Sequence, residues 1–241
     1  MDLRVCHIYP DLMCIYGDRG NVIALTQRAR WRGIDAEVRE LHEGEALEPE
    51  WADLYFFGGG QDLGQDVVSR DLQGPNGAAL RRALASGAAV LSVCGGYQLL
   101  GREYVPAEGP SIAGLGALDV TTRAGKVRFV GNLLAEAPQG TLIGFENHSG
   151  YTYLGPAARP LARVIVGHGN NGQDKTEGAV QGRIVGTYCH GSVLPKNPWL
   201  ADMLLLWALE RRHDAVRLEP LDDAMELAAQ RSAAEVARTR P

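Results

Sequence analysis

The sequence is short of cysteine and aromatic residues, has no surplus of positive charge and contains no long apolar run. Its four cysteines, Cys6, Cys14, Cys94 and Cys189, show neither CxxC nor paired spacing. A disulfide framework or a cysteine zinc site is therefore excluded, no metal site is expected, and a reducing cytoplasm is the predicted compartment. The net charge of −5 leaves only short basic clusters, Arg81-Arg82 and Arg211-Arg212. That gives no electrostatic footing for nucleic acid or an anionic membrane. No window approaches the ~18 apolar residues of a membrane span; the longest candidate, residues 203–209, is far too short. Met1-Asp2-Leu3-Arg4 leads straight into an apolar strand, without the basic start and small-residue cleavage site of a signal peptide. A Gly-Lys-Ser/Thr phosphate loop is also missing, so no ATP site is expected on this chain.

What is present reads as an α/β protein. Hydrophobic residues make up 45% and charged residues 22% of 241, enough to bury a substantial core. Short apolar runs at 3–9, 54–57 and 88–93 are bounded by Gly, Pro or polar residues, as parallel strands covered on both faces should be. Helical patterns lie between them at 21–31, with Asp18 as a cap and Gly33 as the stop, and at 76–85, ending at Gly87. This alternation predicts a doubly wound, mostly parallel sheet. Residues 111–190 turn rich in Gly, Thr and Val, with strand-like runs at 127–130, 142–145, 162–166 and 184–188. They predict an antiparallel extension of the same domain. A strong helix follows at 197–213, with Pro198 in its first turn. Residues 1–214 read as one domain and 215–241 as a helical tail, Ala-rich and amphipathic at 222–240.

Three segments carry chemistry. In Leu91-Ser92-Val93-Cys94-Gly95-Gly96-Tyr97-Gln98, an apolar strand runs into a cysteine, two glycines and a helix. This is the pattern of a nucleophile elbow. A sharp turn lifts the thiol clear of the sheet, and the helix start lowers a thiol pKa that is otherwise about 8.5. The bland alternative is a buried structural cysteine; the flanking glycines favour the nucleophile. In Phe57-Gly58-Gly59-Gly60-Gln61-Asp62, three glycines after a strand free backbone N–H groups to face an oxyanion, though such a run can also cradle phosphate or make a tight turn. In Gly186-Thr187-Tyr188-Cys189-His190-Gly191, a strand ends in a histidine able to serve as base and then as acid to a leaving amine. Cys189, pointing to the other face, reads as core.

With the segments Tyr16-Gly17-Asp18-Arg19-Gly20-Asn21, Gly144-Phe145-Glu146-Asn147-His148-Ser149-Gly150 and Thr187 to Pro198 added, nearly the whole chain resembles the class I glutamine amidotransferases, with their flavodoxin-like fold. More narrowly it is similar to the cobyric-acid-synthase-like branch and, within that, to glutaminase subunits of lipid II isoglutaminyl synthase. The resemblance implies Cys94 as nucleophile, His190 as its base, the N–H groups of Gly60 and Gly95 as oxyanion donors, and Gln98 as a hydrogen-bonding partner of glutamine. It places Arg128 where the substrate is engaged, a guanidinium suiting its α-carboxylate; the alternative is a surface arginine in a strand. Where most relatives have an acid two residues after the histidine, this chain has Ser192. The third triad member is left open between Asp18 or Glu146 of this chain, a carboxylate from a partner, and none at all. Asn147 and His148 read as pocket wall rather than as a second catalytic site.

The implied function is hydrolysis of L-glutamine to glutamate and ammonia. The ammonia would feed a MurT-like Mur-ligase subunit in a heterodimer, which holds ATP and magnesium and amidates the D-glutamate α-carboxyl of lipid II in peptidoglycan synthesis. Such an enzyme works at the inner face of the cell membrane through its lipid-linked substrate. The rival readings are a cobyrinate-type acceptor and a non-catalytic amidotransferase-like scaffold. The intact Cys94, Gln98 and His190 speak against the scaffold.

Overall fold

The computed structural model of the chain describes residues 1–60, 62–190 and 192–240; Gln61 in the glycine loop and Gly191 beside His190 lie outside them. Strands and helices alternate through β1 (Asp2–Ile8), α1 (Arg19–Arg30), β2 (Asp35–Leu41), β3 (Leu54–Phe57), α2 (Asp62–Leu72), α3 (Pro75–Ala85), β4 (Ala89–Val93) and α4 (Gly95–Leu100). There follow β5 (Glu103–Val105), β6 (Ile112–Ala113), β7 (Val120–Ala137), β8 (Gly140–Leu154), β9 (Ala162–Val166), β10 (Thr176–Glu177), β11 (Ala179–Gln181) and β12 (Ile184–Thr187). A 3₁₀ turn at Leu194–Lys196, α5 (Pro198–Leu209) and α6 (Ala224–Thr239) complete the order.

The first sheet runs β11-β12-β4-β3-β1-β2, parallel except for β11 at its edge. Every residue of β3 and β4 is buried. Successive side chains of a strand point to opposite faces, so both faces are covered, as the unbroken apolar runs require. The edge strand β2 is largely exposed and β-like only in part, and α2 carries Gly64 and few apolar residues; neither stands out in the sequence for that reason.

The antiparallel extension is a second sheet, β10-β9-β7-β5-β6, with β8 paired to β7. Its frame is the long β7–β8 ribbon, antiparallel throughout, with an irregularity between Ala124 and Phe129 that shifts the register. The apolar run at 184–188 does not join it. As β12 it returns to the first sheet beside β4, which brings the end of that strand to the Cys94 turn. One continuous apolar core spans the first sheet, α5 and the inner face of β7–β8. Helix α6 lies on the outer face, where Ala234 and Ala237 meet Leu134 and Ile143. Gln230 of α6 donates to the carbonyls of Thr141 and Lys196 (3.1 and 2.8 Å). The approach to α6 is held by Arg28, which bonds Asp202 (2.8 Å) and Asp223 (2.5 Å).

Candidate active site

Cys94 stands between β4 and α4 with φ +48° and ψ −103°, a region that an L-residue enters only when its surroundings impose it. The constraints come from both neighbouring strand ends. Cys94 N–H donates to the Thr187 carbonyl at the end of β12 (2.9 Å), and Gly96 N–H donates to the Gly58 carbonyl in the loop after β3 (3.1 Å). A Cβ at Gly96 would stand 2.5 Å from the Phe57 carbonyl oxygen, and one at Gly95 would stand 3.0 Å from the Gly60 nitrogen. Both glycines are needed for two loops to converge at the carboxyl edge of adjacent parallel strands. The result is an elbow whose Gly95 N–H and Gly60 N–H have no hydrogen-bond partner among the described residues. Such converging donors suit an oxyanion.

His190 follows β12 and is fully buried. Its N–H donates to the Phe145 carbonyl of β8 (2.7 Å), and its Nδ1 meets Asp18 Oδ1 at 3.4 Å. Burial opposes the imidazolium, but Asp18 and the Cys94 sulfur outweigh it and carry the pKa up to about 10. Nε2 holds no aligned hydrogen bond among the described residues and is the nitrogen available to a thiol and its substrate. Asp18 is itself fully buried; its Oδ2 accepts from Gly59 N–H (2.8 Å). The sequence suggests a helix cap there, yet Asp18 makes no side-chain cap bond to α1. The carboxylate is diverted to the glycine loop and to His190. Ser192, in the place of the usual acid, donates to the Gly17 carbonyl instead (2.6 Å).

A cavity of about 410 Å³ opens on Cys94, lined among others by Gly60, Gln65, Gln98, Arg128, Asn147 and His148. It joins Cys94, Gln98, Gly60 and Arg128 around one space, with Gly95 at its elbow. Gln98 Nε2 donates to Tyr188 Oη (3.1 Å), which also bonds Thr152 Oγ1 (2.7 Å). Arg128, exposed beside the β7 irregularity, donates Nε to Asn147 Oδ1 (2.7 Å). Its Nη groups have no partner among the described residues. His148 is buried, stacked on Tyr188 at 3.5 Å, with Nδ1 2.8 Å from the Gly150 carbonyl. Burial pushes its pKa down to about 3, so it is a neutral wall of the cavity, with the proton on Nδ1. No group of three or more metal-ligating side chains occurs among the described residues.

Of the two carboxylates in this chain weighed for the third position, Asp18 touches His190 and Glu146 does not. Glu146 accepts from His168 N–H and Gly169 N–H (both 2.8 Å) and pairs with His168 Nδ1. Two residues escape sequence reasoning. Gln65 of α2 is buried on the cavity with Nε2 donating to the Gly60 carbonyl (3.2 Å) and Oε1 without a partner among the described residues. Glu177 is buried at the end of β12, accepting from Thr187 Oγ1 (2.5 Å) and Tyr188 N–H (2.9 Å). Burial raises its pKa to about 7. Nothing local in Asp174-Lys175-Thr176-Glu177-Gly178 marks it as interior.

Residues 4–198 match the CobB/CobQ-like glutamine amidotransferase domain. The chain is 38% identical over 229 residues to the lipid II isoglutaminyl synthase (glutamine-hydrolyzing) subunit GatD of Staphylococcus aureus, covering 95% of this chain and 93% of that one. It is 36% identical to the GatD subunit of Streptococcus pneumoniae, covering 88% and 82%. A cobyric acid synthase of Pelotomaculum thermopropionicum is 38% identical over 192 residues, but these make up 73% of this chain and only 35% of that protein. Among solved structures, a glutamine amidotransferase superposes with a TM-score of 0.57 at 17% identity, covering 84% of this chain and 98% of that one. Another, from Thermotoga maritima, gives 0.54 at 18%, covering 98% and 94%. No helix among the described residues is long and apolar enough to cross a membrane. With elbow, histidine and glycine loop assembled as that fold requires, the chain belongs to the CobB/CobQ-like glutamine amidotransferase family, in its GatD group.

Proposed function

We propose that this chain is the glutaminase subunit of a glutamine-hydrolysing amide ligase, acting through a thioester on Cys94. The observation that carries the reading is the strained Cys94 turn, with His190 beside its sulfur and, at the same cavity, two N–H groups that have no partner among the described residues. In this reading the Cys94 thiolate, paired with protonated His190, attacks the carbonyl carbon, Cδ, of the glutamine side-chain amide. The oxyanion is received by Gly60 N–H and Gly95 N–H. His190 gives its proton from Nε2 to the leaving nitrogen, and ammonia departs. Water, deprotonated by the same nitrogen, then cleaves the thioester and frees glutamate. Asp18 on Nδ1 holds the ring and its tautomer. Arg128 receives the α-carboxylate, and Gln98 a polar group of the same substrate.

The ammonia serves a partner. In the GatD relatives the named activity is lipid II isoglutaminyl synthesis, which supports a MurT-like, ATP- and magnesium-dependent Mur-ligase subunit as partner and the D-glutamate α-carboxyl of lipid II as acceptor. The reading places the chain in the cytoplasm, drawn to the inner membrane face by that acceptor. The test is glutamate release from glutamine by the purified chain, alone and with a co-expressed Mur-ligase-like subunit. Amidated lipid II should form only with both proteins, glutamine and ATP. Amidation that proceeds equally well without this chain contradicts the reading.

A further inference from the structure

The Tyr16-to-Asn21 loop supplies Asp18 to the site, but Asp18 does not account for Tyr16. Tyr16 holds a positive φ of 54° and is followed by Gly17 at 80°, a backbone that a bulky residue adopts only when something holds it. It is half exposed, which for a tyrosine on a loop gives no burial to repay that conformation. Two contacts hold it. Its ring stands edge-on to the His190 imidazole, with centroids 5.0 Å apart and planes at 72°. Its hydroxyl accepts from Asn147 Nδ2 (2.9 Å), while Asn147 Oδ1 accepts from Arg128 Nε (2.7 Å). The direction of this chain is fixed, because an arginine nitrogen only donates and so sets the amide of Asn147. Tyr16, Asn147 and Arg128 all line the cavity that opens on Cys94. Three donors remain without an acceptor among the described residues: the two Nη groups of Arg128 and the Tyr16 hydroxyl proton.

We propose that Tyr16 is a specificity-determining residue that ties the carboxylate anchor to the base: its hydroxyl, through Asn147, fixes Arg128 for the substrate's α-carboxylate, while its ring seats His190. This rests on the glutaminase reading and adds to it that a free α-carboxylate is required for efficient attack. A substrate lacking it leaves the pre-aligned Nη groups of Arg128 without the acceptor they are set to meet, and a site built to bond a group discriminates against analogues that lack it.

The experiment uses the full chain and two electrophiles that react with the Cys94 thiol. A diazoketone analogue of glutamine carries the α-carboxylate; iodoacetamide does not. Tyr16→Phe should raise the half-saturating concentration of the diazoketone about ten-fold, the loss of roughly one hydrogen bond that orients Arg128. Its limiting inactivation rate and the iodoacetamide rate should stay within about two-fold, because the ring still meets His190. In an Arg128→Ala background, Tyr16→Phe should add nothing further, since Tyr16 acts on the carboxylate through Arg128. Tyr16→Ala should also slow iodoacetamide, because His190 loses its seat. An unchanged diazoketone half-saturation in Tyr16→Phe, or effects of Tyr16→Phe and Arg128→Ala that multiply, overturns this inference alone. Failure of the unsubstituted chain to react with the diazoketone, while iodoacetamide still labels Cys94, overturns the glutaminase reading beneath it.

Discussion

The two sheets contribute differently to one cavity. The carboxyl edge of the parallel sheet gives Cys94, Gly60, Gly95 and His190 at the ends of buried strands, Cys94 and His190 placed by their own backbone bonds and the two glycines by those of the adjacent Gly59 and Gly96. The β7–β8 ribbon gives Arg128 and Asn147 as side chains on a more exposed surface, bonded to one another, and His148 as a buried wall held by Gly150 and Tyr188. Bond making needs atoms fixed to fractions of an ångström, which buried strand ends supply. Recognition of a small amino acid needs a few polar groups at the right spacing, which an antiparallel ribbon with an irregular stretch can vary without disturbing the core. Substitutions on the first sheet should therefore act on turnover, and those on the ribbon on affinity.

The largest effects should come from the elbow. Cys94→Ser should lower glutamine hydrolysis at least ~10³-fold with the fold unchanged, because the oxygen is a poorer nucleophile and lacks a base tuned to it; His190→Ala should match it. Cys6→Ser or Cys189→Ser should cost stability but leave turnover in the folded fraction intact. Next comes Asp18→Asn, expected to lower kcat by ~10²-fold. That is less than the ~10⁴-fold loss when a serine triad is deprived of its carboxylate, since the contact here is a long 3.4 Å. Little change in kcat would return Asp18 to a merely structural tie between α1 and the glycine loop. Arg128→Ala tests the other sheet: KM for glutamine should rise ~10- to ~100-fold with kcat within about three-fold. A fall in kcat at constant KM would break the division between the sheets.

The smallest effect concerns stability. Glu177 has a carboxyl raised by burial from 4.5 to about 7. The folded state therefore binds its proton more tightly than the unfolded state. The stability this contributes is present in full below about pH 4.5 and is lost as pH rises through about 7. Glu177→Gln stays neutral, so its melting temperature should fall less than that of the unsubstituted chain between pH 5 and pH 8. Parallel melting curves across that window would show that the carboxyl is not protonated in the fold.

The chemistry of the first sheet was legible because close packing writes itself locally. Gly95 and Gly96 follow Cys94 since a Cβ at either would strike the loop after β3. The apolar runs of β1, β3 and β4 follow from burial on both faces. The ribbon is harder to read. Arg128 sits at the register shift of β7, where alternation fails, and its partners Asn147 and Tyr16 come from two other parts of the chain. Asp18 illustrates the limit best. It lies 172 residues from His190 and looks like a helix cap until the fold sets Gly59 N–H and His190 Nδ1 on its two oxygens. Glu177 is invisible for the same reason: its burial depends on where β10 meets β12, not on its own surroundings in sequence.

The central claim is a covalent intermediate on one cysteine of four. The direct measurement is intact mass, with peptide mapping, of the chain quenched in acid during turnover of L-glutamine. A single γ-glutamyl adduct should appear on Cys94, vanish once the glutamine is consumed, and be absent from Cys94→Ser. Glutamate release at an undiminished rate in Cys94→Ser, or an adduct on Cys14 in place of Cys94, would contradict it.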